Sequence, residues 1–272
     1  MTGPEYVLGS DEAEIARLQT QAASIAEPTA LLLKRGGIAP GMRVLDLGTG
    51  PGDVAFQLAE LVGADGSVTG VDRDPAQLAV AEQRRVKAGL ANVTFRQGDV
   101  RTYVDDAQFD AVTCRLLLFH LPDATDVIAH HARALKPGGV FIAVDYDMDG
   151  VRALPPVELL ERLGEWLEAG FRHAHADPRV GMRLPVYFAQ AGLRDVETIG
   201  VQPYWPPDHP TAPGIVAGVV RAIAPAIVAS GAATEQELGL DTLEQRLADE
   251  LRAAGATVVL PTVSGAFGRR AA

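Results

Sequence analysis

The sequence is poor in thiols, in lysines and in clustered positive charge, and each shortage excludes something. One cysteine, Cys114, in 272 residues rules out an internal disulfide. Its apolar surroundings read as those of a small buried hydrophobe, and the cytoplasm is the expected compartment. Lysine occurs only at positions 34, 87 and 136, and the formal net charge is −11. Arg84-Arg85-Lys87 and Arg269-Arg270 are short runs that read as solvated faces. A chain of this charge is not expected to bind DNA or RNA. No apolar run of about 18 residues is apparent, so no transmembrane helix is expected. Residues 1–10 have neither the basic nor the apolar region of a signal peptide. No metal site is expected either. His173 and His175 stand two apart and cannot share a helix face, no dense carboxylate cluster accompanies them, and His130-His131 reads as part of a solvated helix.

What is present is organised around one stretch, Arg43-Val44-Leu45-Asp46-Leu47-Gly48-Thr49-Gly50-Pro51-Gly52-Asp53. A buried strand carrying an acid runs into a glycine-rich turn. A helix follows with Val54, Leu58, Leu61 and Val62 on one face. Glycines let a backbone approach a ligand closely, and the free N–H groups of a helix start point at it. A dinucleotide fingerprint reads G-x-G-x-x-G. Here the spacing is Gly48-x-Gly50-x-Gly52, with Asp46 two residues ahead and Pro51 restricting one φ.

Strands and helices then alternate. A strand at 68–71 ends in Asp72-Arg73-Asp74-Pro75, and one at 93–97 runs into Gly98-Asp99-Val100. A strand at 109–114 leads to Arg115, Leu116 and His120. A strand at 140–144, entered through Leu135-Lys136-Pro137-Gly138-Gly139, ends in Asp145-Tyr146-Asp147. The alternation predicts a doubly wound parallel α/β sheet with right-handed crossovers, whose ligands sit beyond the C-terminal strand ends. A carboxylate at the place of Asp72 accepts from ribose hydroxyls and disfavours a 2′-phosphate. Asp74-Pro75 reads as a helix cap and first turn.

These features together resemble the class I S-adenosylmethionine (SAM) methyltransferases, most of all the UbiE-like and small-molecule members. Motif I of that family is E/D-x-G-x-G-x-G. An acid ends its second strand, G-D-hydrophobic follows its third, F-D-x-V marks its fourth, and an L-x-P-G-G turn precedes its fifth. The resemblance covers residues 43–145 well and the rest by layout alone. It implies a Rossmann-like seven-stranded sheet of order 3-2-1-4-5-7-6 with an antiparallel last strand. It implies SAM as cofactor, held at motif I by Asp46, Gly48, Thr49 and Gly50. Asp72 and Arg73 would contact the cofactor at the second strand, and Gly98, Asp99 and Val100 around the adenine. Arg115 and Leu116 fall on the cofactor–substrate face beyond the fourth strand. Residues 1–40 correspond to a helical lid, with Tyr6 and Gln21 as cofactor contacts or plain packing.

Residues 41–150 then form the SAM-binding core, and 151–272 the remainder of the same sheet. A long amphipathic helix follows Pro155-Pro156, a helix is read at 184–191, and strands at 196–201 and 257–263. Between the last two strands, about 203–255, lies an insert that reads as a cap over the acceptor site. Its Tyr204 and Trp205 would line an apolar or aromatic pocket or simply pack.

The implied reaction is methyl transfer to an O, N or C atom of a small molecule. For a high-pKa oxygen acceptor, a general base is wanted. His120 is one candidate because histidine titrates in the useful range; Asp145 and Tyr146 are others, and each has a packing alternative. Two other readings stay open: a SAM-binding protein that transfers no methyl group, and an NAD-dependent dehydrogenase, which the glycine spacing disfavours. The acceptor is the expected partner; a homodimer is left open.

Overall fold

A computed structural model describes residues 23–104 and 108–271. Tyr6 and Gln21 lie outside the described residues. In chain order the elements are α1 (Ala26–Arg35), β1 (Arg43–Leu47), α2 (Asp53–Val62), β2 (Ser67–Asp72), α3 (Pro75–Ala88), β3 (Val93–Gln97), β4 (Phe109–Arg115), α4 (Ala124–Ala132) and β5 (Leu135–Asp147). There follow β6 (Arg152–Leu154), α5 (Glu158–His173), α6 (Val180–Gln190), β7 (Arg194–Val201), β8 (Tyr204–Trp205), α7 (Ala212–Ser230), α8 (Glu235–Leu238), α9 (Leu243–Ala254), β9 (Thr257–Val259) and β10 (Thr262–Arg269).

The described residues form two compact units, one of residues 23–104, 108–145, 180–200 and 263–271, the other of 146–179 and 201–262. The first holds the seven-stranded sheet, of order β3-β2-β1-β4-β5-β10-β7, which matches the expected 3-2-1-4-5-7-6 once the last two strands are renumbered. β1 is parallel to both β2 and β4, and β4 to β5. β10 runs antiparallel: its end lies at the start of β5, where Gly138 N–H donates to the Arg270 carbonyl and Arg270 N–H to that of Gly139. Central parallel strands are covered on both faces, which is why β1, β4 and the middle of β5 are nearly continuous apolar runs. Leu45, Leu47, Val112 and Phe141 sit in one core with Leu184 and Phe188 of α6. The rings of Phe141 and Phe188 meet edge to face at 5.5 Å.

Local signals explain most boundaries. Pro28 falls in the first turn of α1, where its missing N–H costs nothing. The Asp74 side chain caps α3 by accepting from Ala76 N–H at 2.8 Å, and Gly89 ends that helix in the left-handed region. Asp110, at the start of β4, accepts from Arg43 N–H and from Lys136 Nζ at 2.6 Å; its role is to pin strand starts.

Three expectations change. The run 257–263 is not one strand: Pro261 lacks the N–H a ladder needs, so β9 stops before it. β9 pairs with β6 and β8 in a separate three-stranded sheet, and the last strand of the large sheet is β10. His131 is not on a solvated face. It is 2% exposed, and its Nε2 lies 2.7 Å from the Val100 carbonyl. A carbonyl only accepts, so Nε2 carries the proton. Burial holds the imidazole neutral, its pKa lowered to about 4. Lastly, α7 is long and apolar enough by length and composition to cross a membrane. Arg221 near its middle breaks the run when the sequence is read residue by residue. Val216, Ala217, Val220, Ile223 and Ile227 are nonetheless buried within the second unit, as in a core helix. There α7 packs along α5: a Cβ on Gly170 would come within 2.7 Å of Ile227 Cγ1.

Candidate functional site

The register of the sheet sets the site. Asp46 on β1 lies beside Gly70 of β2 and Thr113 of β4. Its carboxylate is 1% exposed and accepts from Thr49 Oγ1 at 2.7 Å and Thr113 Oγ1 at 2.9 Å. Desolvation outweighs these bonds and the nearby Arg115 charge, so its pKa is raised to about 6. Gly70 is needed for this contact, because a Cβ there would stand 2.7 Å from Thr49 Oγ1. Thr113 is a part of the site that the sequence reading missed; the available signal was a polar residue in an apolar strand.

Beyond β1 the chain turns through Gly48, Gly50 and Gly52, at φ of 64°, 52° and 89°. Only glycine takes such values without strain. The turn is stitched to β2: Thr49 N–H donates to the Val71 carbonyl at 3.0 Å and Gly50 N–H to Asp72 Oδ2 at 2.9 Å. Asp72 Oδ1 accepts from Asp74 N–H at 3.0 Å. Burial raises the Asp72 pKa and the two backbone bonds oppose it. A Cβ on Gly50 would meet nothing within 4 Å, so the mouth of the turn is open where a ligand would approach.

β3 adds the next piece. Gly98 N–H donates to the Asp72 carbonyl at 2.9 Å, and a Cβ on Gly98 would lie 2.6 Å from the Tyr103 ring. Asp99 is exposed and its Oδ1 closes a turn by accepting from Arg101 N–H at 2.9 Å. Val100 is buried and lends its carbonyl to His131. Arg73 follows Asp72 on the surface, where its charge opposes the rise in the Asp72 pKa.

At the end of β4, Arg115 Nη1 donates to Thr29 Oγ1 of α1 at 3.2 Å. Leu116 has a φ of 51° while its N–H is held by the Val144 carbonyl. A non-glycine residue in this region is strained, and such strain gathers at functional sites. A short 3-10 turn, Leu118–His120, comes next. Phe119 N–H donates to Asp145 Oδ2 at 3.2 Å, and the Phe119 and His120 rings meet edge to face. Asp145 is buried near the end of β5, and Tyr146 follows it, half-buried. The fold thus gathers the motif I residues, Asp72, Gly98, Arg115 and Leu116 at the C-terminal ends of adjacent strands. In the second unit Trp205 stacks on His209 at 4.0 Å and Tyr204 is exposed.

Two buried groups titrate in opposite senses. His131 has a folded pKa below its unfolded value, so its contribution is full above about 6.5 and is lost as pH falls towards 4. Asp46 has a raised folded pKa, so its contribution is full below 3.8 and is lost as pH rises through about 6. The two largely cancel between pH 4 and 6. His131→Gln keeps a donor for Val100 and does not titrate. Relative to that variant, the wild-type protein should lose about 2–3 kcal/mol of stability between pH 7 and pH 4.5. Urea unfolding of both proteins at the two pH values measures this; a constant difference would refute it.

Comparison with known proteins agrees with the geometry. The family described as "Methyltransferase domain" matches residues 38–181. An arsenite methyltransferase of Aquipseudomonas alcaligenes is 35% identical over 173 residues, covering 57% of this chain and 50% of that one. A 2-phytyl-1,4-naphtoquinone methyltransferase of Synechococcus elongatus is 41% identical over 110 residues, 40% of this chain and 47% of that one. The chain thus spans about half the length of the curated relatives it matches. A structure of Haemonchus contortus phosphoethanolamine N-methyltransferase 2, solved with S-adenosylhomocysteine, has a TM-score of 0.57 at 24% identity, covering 90% of this chain and 52% of that one. That likeness is one of fold alone.

Proposed function

We propose methyl transfer to a small acceptor as the reaction of this chain, which belongs to the methyltransferase-domain family of class I SAM enzymes. The observation that carries the reading is the glycine turn tied to Asp72 through Gly50, with an open mouth at Gly50. The residues present fit SAM. Each Asp72 oxygen takes one backbone N–H and keeps a lone pair for a ribose hydroxyl. The side chains around Gly98 and Asp99 receive the adenine, and Arg115 and Leu116 close the end nearer the acceptor.

SAM when bound supplies a methyl group on a sulfonium, already activated for displacement. The protein's part is to align the acceptor with it and to take a proton where the acceptor is a hydroxyl. His120 is the candidate base. Asp145 holds the 3-10 turn that carries His120 through the Phe119 N–H, and Tyr146 is the alternative base. The insert of about 203–255 acts as the acceptor cap, and residues 1–40 as a lid bearing Tyr6 and Gln21. The cytoplasm is the compartment that suits the lone buried thiol.

An apolar or aromatic acceptor is favoured over a metalloid. Arsenic(III) is soft and takes thiolates. The one cysteine, Cys114, is buried, and burial, then the Asp145 and Asp46 charges, push its pKa well up. Calorimetric titration with SAM, S-adenosylhomocysteine and NAD, followed by labelled-methyl transfer to a naphthoquinol, a catechol, phosphoethanolamine and arsenite, tests the reading. Binding of SAM and its product with labelling of a ring acceptor is expected. Binding of NAD alone, or labelling of arsenite alone, would overturn it. Binding of SAM with no labelled acceptor would favour a SAM-binding protein without methyl transfer.

A further inference from the structure

We infer that Arg84, on the second helix after the glycine turn, is a positioning residue for the cofactor cradle. The sequence reads Arg84 as one of three basic residues on a solvated helix face. The structure separates it from its neighbours. Arg85 turns to Glu82 and to the Leu90 carbonyl. Arg84 reaches back across the fold: Nη1 donates to the Pro51 carbonyl at 2.7 Å and Nη2 to Asp53 Oδ1 at 2.7 Å. Its guanidinium lies 5.1 Å from the centre of the Phe56 ring. Phe56 in turn meets Phe95 edge to face at 6.1 Å.

The need for such a clamp follows from the turn itself. Three glycines within five residues leave the unfolded turn with much freedom, so its ordered form is costly. Thr49 and Gly50 are held from the β2 side, and Gly52 N–H bonds back to the Thr49 carbonyl at 3.0 Å. The Pro51 carbonyl is held from α3 instead, by Arg84. A planar guanidinium can bridge a carbonyl and a carboxylate at once, which an ammonium cannot do with the same geometry. Both members of the ion pair are largely shielded, with side-chain exposures of 33% and 19%. Arg84 also neutralises Asp53, the first residue of the helix whose N–H groups face the cradle mouth. An unpaired Asp53 there would repel an anionic part of a ligand.

The inference rests on reading this turn as the SAM site, and the test separates the two. Arg84→Ala, Arg84→Lys and, as a control on the same helix, Arg85→Ala are compared with the wild-type protein. Amide hydrogen exchange is measured without ligand, and SAM dissociation constants by calorimetry. In Arg84→Ala the amides of Gly50, Gly52 and Asp53 should exchange at least tenfold faster, with the β1 and β5 amides unchanged, and the dissociation constant should rise at least tenfold. Arg84→Lys should recover part of both effects, and Arg85→Ala should show neither. Unchanged cradle amides, or faster exchange spread evenly over β1 and β5, would overturn the clamp. Faster cradle exchange in Arg84→Ala, with no SAM bound by the wild-type protein, would uphold the clamp and overturn the SAM reading.

Discussion

Asp72→Asn is expected to raise the dissociation constant for SAM by roughly 30- to 150-fold, about 2–3 kcal/mol. The change is isosteric, so the effect comes from hydrogen-bond chemistry. Both carboxylate oxygens already serve as acceptors, from Gly50 N–H on one side and Asp74 N–H on the other. A primary amide has one oxygen and one NH2 group. Whichever way it turns, a donor faces a donor, and either the glycine turn or the entry to α3 loses its tie. The ribose hydroxyls lose a charged acceptor as well, and charge-assisted bonds are the stronger kind. Because burial raises the Asp72 pKa, acidification should mimic the substitution: affinity falls as the carboxyl protonates. Calorimetry on both proteins at neutral pH is the check. Affinity within threefold of wild type would remove Asp72 from the site.

Gly52→Val should lower stability by about 2–6 kcal/mol, from two additive causes. The backbone at φ 89° is left-handed, a region that costs a β-branched residue about 1–3 kcal/mol. The new Cβ would also lie 2.8 Å from Phe56 Cζ and 3.2 Å from Phe95 Cζ. Phe56 has no easy retreat, with Phe95 at its edge and Arg84 beside its face, so overpacking adds about 1–3 kcal/mol. Gly50→Ala is the contrast. Its φ is 52° and nothing lies within 4 Å of the added methyl, so about 1–2 kcal/mol is expected, with the larger effect on SAM binding. Denaturant unfolding decides both. A loss under about 1 kcal/mol for Gly52→Val would mean that the two rings are not held as described.

The cradle was legible because its parts are local. Asp46, the three glycines and Asp72 each stand at a strand end that the apolar pattern marks, and the order of the strands follows from their alternation with helices. What escaped depends on contacts across the sequence. Thr113 matters only because β4 pairs with β1 in a register that sets it against Asp46. Arg84 looks like its neighbours until the fold brings Pro51 and Asp53 within reach. His131 is legible in principle, since with Val127 and Ile128 it completes one inward face of α4. The small sheet of β6, β9 and β8 has strands of two or three residues, too short for any periodicity to register.

The place of β10 has a consequence for how the protein is made. Of the seven strands, the last to be synthesised lies between two that precede it, β5 and β7. While the ribosome is still translating, neither strand has its final neighbour, and each presents an unpaired edge of the kind that recruits foreign strands. The pairing that closes the sheet spans a long sequence separation and is slow to form. A nascent chain of this design gains most from a chaperone that shields β5 and β7 until the final strand has left the exit tunnel.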